Sequence, residues 1–281
     1  MNHAVPHPVA LSTRRLAAHR GWSLGQLTEI WDYKELLYFL IWRDIKVRYT
    51  QTVLGAGWAV LQPVLTMVIF TIFFGRLAGM PSDGIPYPVF SMAALVPWTY
   101  FATALAGGSQ SVVASQHVIS KVYFPRLLVP LASVLGPLVD FGIAFLALIG
   151  LMFWYGIVPG MAIVWLPGLL FLSILTAAAG SVWLSALNVQ YRDVRYIVPF
   201  VIQLWMFVSP VIYPASRVPE PWRPLFFLNP LAGVIEGFRW ALVGGSSPGW
   251  ITLVSAAVVV LALVTGAAYF NRLEGTFADR I

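Results

Sequence analysis

The chain has 281 residues, of which 59% are hydrophobic, 15% aromatic and only 10% charged, with a formal net charge of +6 and no cysteine. A mean hydropathy of +0.80 lies far outside the range of soluble domains, so the sequence is that of an all-α membrane protein. The missing cysteine excludes disulfides, thiolate metal sites and cysteine nucleophiles, and basic residues at the ends of apolar runs read as membrane topology rather than nucleic-acid binding.

Residues 1–30 read as a cytoplasmic N-terminal tail. "STRRLAAHR" holds the Arg14–Arg15 pair, but no apolar h-region accompanies it, so neither a cleaved signal peptide nor a twin-arginine signal is expected. His3, His7 and His19 either bind metal together or are incidental to the tail; no metal site is assigned.

Residues 31–50 are too charged to span and read as an amphipathic interfacial helix. On a helical wheel Tyr33, Leu36, Leu37, Leu40 and Val47 share one side, while Asp32, Glu35, Arg43 and Lys46 gather on another. Asp44 intrudes on the apolar side and Phe39 on the polar one.

About 20 predominantly apolar residues are needed to cross a hydrocarbon core of roughly 30 Å. Six runs qualify, near 53–75, 89–113, 127–155, 162–188, 195–213 and 250–271. Counting Lys and Arg between them leaves only Arg76, Arg217, Arg223 and Arg239 outside. Both termini are therefore expected in the cytoplasm.

The short charged phrase "WRDIKVRY", with Arg43, Asp44, Lys46 and Arg48, and its echo "YRDVRY", with Arg192, Asp193 and Arg195, then both lie at the cytoplasmic face. Their basic groups are expected at the lipid headgroups, with the aspartates pairing locally or with a partner.

Between spans two and three, "SQHVISKVYFPRLLVP" sets Val118, Ile119, Val122, Tyr123 and Phe124 beside Lys121 and Arg126. It reads as a helix that docks an apolar knob into a soluble partner, or as a membrane-surface loop. His117 reads as a lone interfacial polar residue.

The connection between spans five and six is long, external and rich in Pro, Gly and aromatics. "LAGVIEGFRWALVG" is apolar but too short to cross, so a helix dipping into the outer leaflet is expected, entered through Asn229 and carrying Glu236, Arg239 and Trp240.

No GxxxxGK[ST] loop exists, because none of Lys34, Lys46 and Lys121 follows a glycine, and no GxSxG elbow is present. Asp140 is the one acidic residue deep in an expected span, either functional or a structural carboxyl bonded to a neighbouring helix. Pro63, Pro97, Pro130, Pro137, Pro199 and Pro210 read as bends around a path or as ordinary membrane-helix prolines. Trp205, Phe207 and Tyr213, with Trp222, Phe226, Phe227 and Trp240, anchor an interface or offer stacking faces to sugars. Asp140, Trp205, Phe207 and Tyr213 are the candidate path residues.

Five phrases in order, "WRDIKVRYTQTVLGAGWAVLQP", "KVYFPRLLVP", "YRDVRYIVPFVIQLWMFVSPVIYP", "NPLAGVIEGFRW" and "FADRI", resemble ABC-2 type permeases of the polysaccharide-export group, which move O-antigen, capsule or teichoic acid. The resemblance implies a domain over residues 31–281 with six spans, the interfacial helix at 31–50, a coupling helix at 117–124 and an external re-entrant region at 226–245. It also implies a second copy of the chain, two copies of a separate ATP-binding subunit holding ATP and Mg, and a lipid-linked polysaccharide substrate in the bacterial inner membrane. No cofactor, catalytic residue or nucleic acid is implied for this chain. An ABC-2 exporter of drugs or small lipids is the alternative. A glycolipid-assembly enzyme would have to draw on Glu220, Glu236, Arg217, Arg223 and Arg239.

Overall fold

The computed structural model of the chain describes residues 30–50, 52, 55–119, 121–245, 247, 249–275 and 277. The tail expected at 1–30, with His3, His7, His19 and the Arg14–Arg15 pair, falls outside these apart from residue 30. Among the described residues every regular element is a helix: α1 Lys34–Tyr49, α2 Gly57–Phe70, α3 Tyr87–Ala114, α4 Gln116–Ile119, α5 Leu128–Leu135, α6 Leu138–Trp154, α7 Leu166–Gln190, α8 Val194–Val208, α9 Arg223–Phe226, α10 Pro230–Val243 and α11 Ile251–Glu274.

Among the described residues five stretches are long and apolar enough to cross a membrane: Gly57–Leu77, Tyr87–Ala114, Leu128–Trp154, Met161–Gln190 and Thr252–Glu274. The run near 195–213 yields only the 15 residues of α8, about 22 Å of helix. The helix stops because Ser209 precedes Pro210 and takes φ −97°, ψ 152°, the extended conformation into which proline forces its predecessor. The third span is likewise two helices, α5 and α6, parted at Gly136 and Pro137. Pro137 offers no N–H, and its ring crowds the preceding turn. Pro63, Pro97 and Pro199, by contrast, sit inside α2, α3 and α8.

α3 is the central post. Of its apolar window 78% is buried within the fold, against 17 to 33% for the other four, so those four present most of their surface to lipid or to another chain. Its Val89, Phe90, Phe101 and Leu105 are almost fully enclosed by α6, α7 and α10.

Lipid is as apolar as these side chains, so helix association depends on close packing and hydrogen bonds. Gly108 of α3 supplies the closest approach: a Cβ there would collide with the Ser181 side chain of α7. Gly266 of α11 does the same beneath the Trp183 ring, where a Cβ would stand 2.5 Å from Cδ1.

α1 packs lengthwise on α5. Tyr33, Leu36, Leu37, Leu40, Ile41, Asp44, Ile45, Arg48 and Tyr49 form its inward stripe, stepping by three and four. Leu40 enters a second core with Val112, Phe124, Leu128 and Phe270. One wheel assignment is corrected. Val47 is 72% exposed, although a step of seven turns it only about 20° from Leu40. Asp44, expected to intrude on the apolar side, does lie on the inward side, against Gly136.

Between α8 and α11 the chain makes two 3-10 turns, Ala215–Arg217 and Glu220–Trp222, then α9 and α10. α10 has 14 residues, about 21 Å and too short to cross. It is buried on nearly every side against α3, α7 and α11. Asn229 caps it by accepting the Leu231 N–H at 3.1 Å, as an N-cap side chain does.

Candidate functional site

Three groups of polar side chains stand out from the apolar fold. The first joins the end of α1 to the start of α6. The Arg48 guanidinium bonds one oxygen of Asp140, and the Tyr49 hydroxyl donates to the other. Burial, followed by the hydrogen bond to Asp140, pushes the Tyr49 phenol up to about 12.

Asp140 is therefore clamped on both oxygens by a neighbouring helix. Arg48, expected at the headgroups, is instead turned into the protein, since α1 runs alongside α5 and ends level with the α5–α6 break. Arg43 pairs with Asp44 at 2.9 Å, and the Lys46 ammonium lies 5.6 Å from the Trp42 ring centroid. Beside the clamp opens a cavity of about 260 Å³ between α1, α2, α3 and α6, lined by Asp140, Arg48 and Tyr49 among others.

The second group surrounds α4. His117, Val118, Lys121, Val122 and Tyr123 are exposed, but Ile119 and Phe124 are buried at 6% and 3%. These two are corrected: they hold the turn to the core with Leu128 and Val112 and offer no knob to a partner. Arg126 is corrected as well. Its backbone N–H reaches Glu274 Oε1 at 3.0 Å, its guanidinium donates to the Glu274 carbonyl, and its charge lies over Phe277. It therefore ties the turn to the end of α11. Arg192 and Asp193 are exposed in the turn between α7 and α8 and Arg195 at the start of α8, with Arg195 stacked on Tyr196 at 4.7 Å.

The third group grips the buried hook 209–215 after α8. Asn229 accepts from Trp205 Nε1 at 3.0 Å and donates to Ser209 Oγ at 2.9 Å. Arg239, 4% exposed, donates to the Val211 carbonyl and to Glu236 Oε1, both at 2.9 Å, with its guanidinium 3.6 Å from the Phe90 ring centroid. Glu236 also accepts the Ala215 N–H at 3.2 Å, and the Tyr87 hydroxyl donates to the Ile212 carbonyl at 2.8 Å. Glycine at 75 allows this, because a Cβ there would meet the Tyr87 ring at 2.9 Å. Trp240 is half-buried beside the grip.

Candidate path residues do not share one space within the chain. Asp140 lines the cavity near α1, whereas Trp205 lines a separate apolar one of about 300 Å³ between α3, α7, α8, α10 and α11. Phe207 is exposed, and its carbonyl accepts the Tyr213 hydroxyl at 3.1 Å. Among the described residues no group of three or more His, Cys, Asp or Glu is placed to hold a metal ion.

The sequence pattern of ABC-2 type transporters matches residues 35–243, from early in α1 to the end of α10. The chain belongs to the ABC-2 type transporter family. The O-antigen export system permease protein RfbA of Myxococcus xanthus is 30% identical over 257 residues, covering 90% of this chain and 98% of that protein. An RfbA of the same description from Klebsiella pneumoniae is 29% identical, over 87% of this chain and 94% of its own. The polysialic acid transport protein KpsM of Escherichia coli is 23% identical over 84% and 92%. This ABC-2 transporter chain is a multi-pass membrane protein whose role is transport.

Sequence reasoning missed Tyr49, Tyr87, Ser209 and Glu274. Tyr49 stood inside the quoted phrase "WRDIKVRY", one residue from Arg48, and a buried acid elsewhere was the one signal that pointed to it. Tyr87, Ser209 and Glu274 carry no sequence signal, since their partners are backbone or side-chain groups on elements distant in the chain.

Proposed function

We propose that this chain is the permease subunit of an ATP-driven exporter that moves a lipid-linked polysaccharide, of the O-antigen, capsule or teichoic acid type, across the bacterial inner membrane. The supporting observation is collinear similarity over nearly the whole length of O-antigen export permeases from two organisms. Because the sequence has no phosphate-binding loop, ATP and Mg belong to a separate ATP-binding subunit, present in two copies beside two copies of this chain.

In this reading residues 1–30 are a cytoplasmic tail, residues 31–281 form the transmembrane domain, both termini are cytoplasmic, and α8 with its hook is the fifth of six spans. The exposed His117, Val118, Lys121, Val122 and Tyr123 meet the ATP-binding subunit, joined by Arg192, Asp193 and Arg195. α10 is the re-entrant helix at the outer side.

A motor moves a permease only through contacts that differ between its nucleotide states. The turn around α4 continues directly into α3 and α5, so force applied there reaches the central post. It also reaches α11 through Arg126. Asn229, Glu236 and Arg239 hold the outer end of α8, leaving its other end, next to Arg192, to follow the motor.

The test is complementation. Expressed with its ATP-binding subunit in a strain lacking its own permease, the chain is expected to restore surface glycan, and to fail when that subunit carries an inactive phosphate-binding loop. Restoration that needs no ATPase would refute the reading.

A further inference from the structure

The cavity beside Arg48 and Asp140 is chemically unusual for a membrane domain. Its charge cancels, because the cation Arg48 and the anion Asp140 are bonded to each other and the second carboxylate oxygen takes the Tyr49 hydroxyl. A phosphate or an ammonium would find no uncompensated counter-charge there.

Of its other polar side chains, Thr52 donates to the Tyr49 carbonyl and Tyr100 to the Val134 carbonyl, but three are unoccupied. Threonines in membrane helices commonly return their hydroxyl to the carbonyl four residues back, as Thr66, Thr71, Thr176 and Thr265 do here. Thr99 and Thr103 of α3 line the cavity, yet neither side chain forms a hydrogen bond among the described residues, and nor does that of Gln62 on α2. An acyl chain would leave all three unmet, which costs free energy in an apolar setting.

Aromatic faces complete the lining. Trp58 contributes to the cavity while 53% exposed, which sets its ring at the opening, and Tyr100 and Phe141 pack edge to face at 5.9 Å. At about 260 Å³ the space falls just below the usual range for small-molecule pockets, roughly 300 Å³ and above, so it suits a single small ring.

Unpaired hydroxyl and amide groups, an apolar ring face and no net charge match an uncharged sugar, whose hydroxyls both donate and accept and whose C–H face is apolar. We infer that this cavity is a subsite for one uncharged sugar unit of the exported glycan, held by Thr99, Thr103 and Gln62 and covered by Trp58. The inference rests on the glycan-exporter reading and adds where in the chain a sugar is recognised.

The experiment uses the full permease with its ATP-binding subunit in cells that make the glycan. Trp58→p-benzoylphenylalanine is photo-crosslinked, and the purified permease is stained for carbohydrate. Leu146→p-benzoylphenylalanine, on the exposed outer side of α6, is the control. A carbohydrate-bearing adduct at 58 and none at 146 is expected. An adduct carrying lipid without sugar, or no adduct at 58, overturns the subsite.

The Thr99→Val, Thr103→Val double variant, checked for monodisperse elution and normal membrane level, is expected to lower surface glycan about tenfold. Wild-type export from that folded variant also overturns the subsite. Failure of the wild-type chain to restore any glycan would instead defeat the exporter reading itself.

Discussion

Arg48 and Asp140 are 92 residues apart in the chain and bonded to each other in the fold, so the end of α1 is fixed to the start of α6 at the point where the third span is broken. The pair is partly exposed, at 34% and 24% of its side chains. Removing one partner leaves the other charge beside an apolar wall, at a cost of about 1–3 kcal/mol. Asp140→Asn and Arg48→Met are each expected to lower the unfolding temperature in detergent, and the double variant to lose less than the sum of the two. Strict additivity in that cycle would show that the pair contributes nothing.

Tyr49 gives the same junction a dependence on pH. Its phenol is raised from the ordinary 10 to about 12, by burial first and by the bond to Asp140 second. The folded state therefore keeps a proton that the unfolded chain has lost, and stability is constant below about pH 10 and falls as pH climbs toward about 12. Ultraviolet difference titration of wild type against Tyr49→Phe should place this midpoint near pH 12, and Asp140→Asn should bring it down. An ordinary midpoint near 10 would contradict the geometry.

Arg239 makes three hydrogen bonds and stacks on Phe90. Arg239→Met strands Glu236 and the carbonyls of Val211 and Phe90, and a buried charge left without its partner typically costs 3–5 kcal/mol. Thermal unfolding should show a fall of that order, and Glu236→Gln a smaller one. Limited proteolysis within 209–225 should speed up in Arg239→Met before the bundle unfolds. Unchanged cleavage would mean that the hook is held by other contacts.

At α4 exposed and buried apolar residues make opposite predictions. Val122→Glu and Lys121→Glu alter exposed positions and should leave folding intact while reducing co-purification with the ATP-binding subunit and export several-fold; Arg192→Glu should behave likewise. Ile119→Glu places a charge in the core and should reduce the amount of folded protein. If the exposed variants bind and export normally, the proposed docking surface is wrong.

Much of the architecture was legible because length and hydropathy act locally. An apolar run of about 20 residues must become a helix in lipid whatever its neighbours do, and five such helices lie close to the expected positions. The run near 195–213 read as one span because proline was weighed as a bend. Ser209 before Pro210 ends the helix instead, and 209–215 turns inward to be held by Tyr87, Asn229, Glu236 and Arg239. In α1 the wheel placed Leu36, Leu37, Leu40 and the intruding Asp44 correctly but misplaced Val47, since hydropathy alone does not show which residues of a face meet α5.

The sequence by itself determined the class of protein, the helical material, the absence of a phosphate-binding loop and the family likeness, because each depends on composition or on contiguous phrases. Only the tertiary structure decided what the sparse polar groups do. Arg48 reaches Asp140 rather than headgroups, Arg126 reaches Glu274 rather than a partner, and Thr99 and Thr103 face a cavity. The physical reason is that an apolar surround makes every polar group seek a partner, and which partner lies within reach depends on how helices distant in sequence are rotated and stacked.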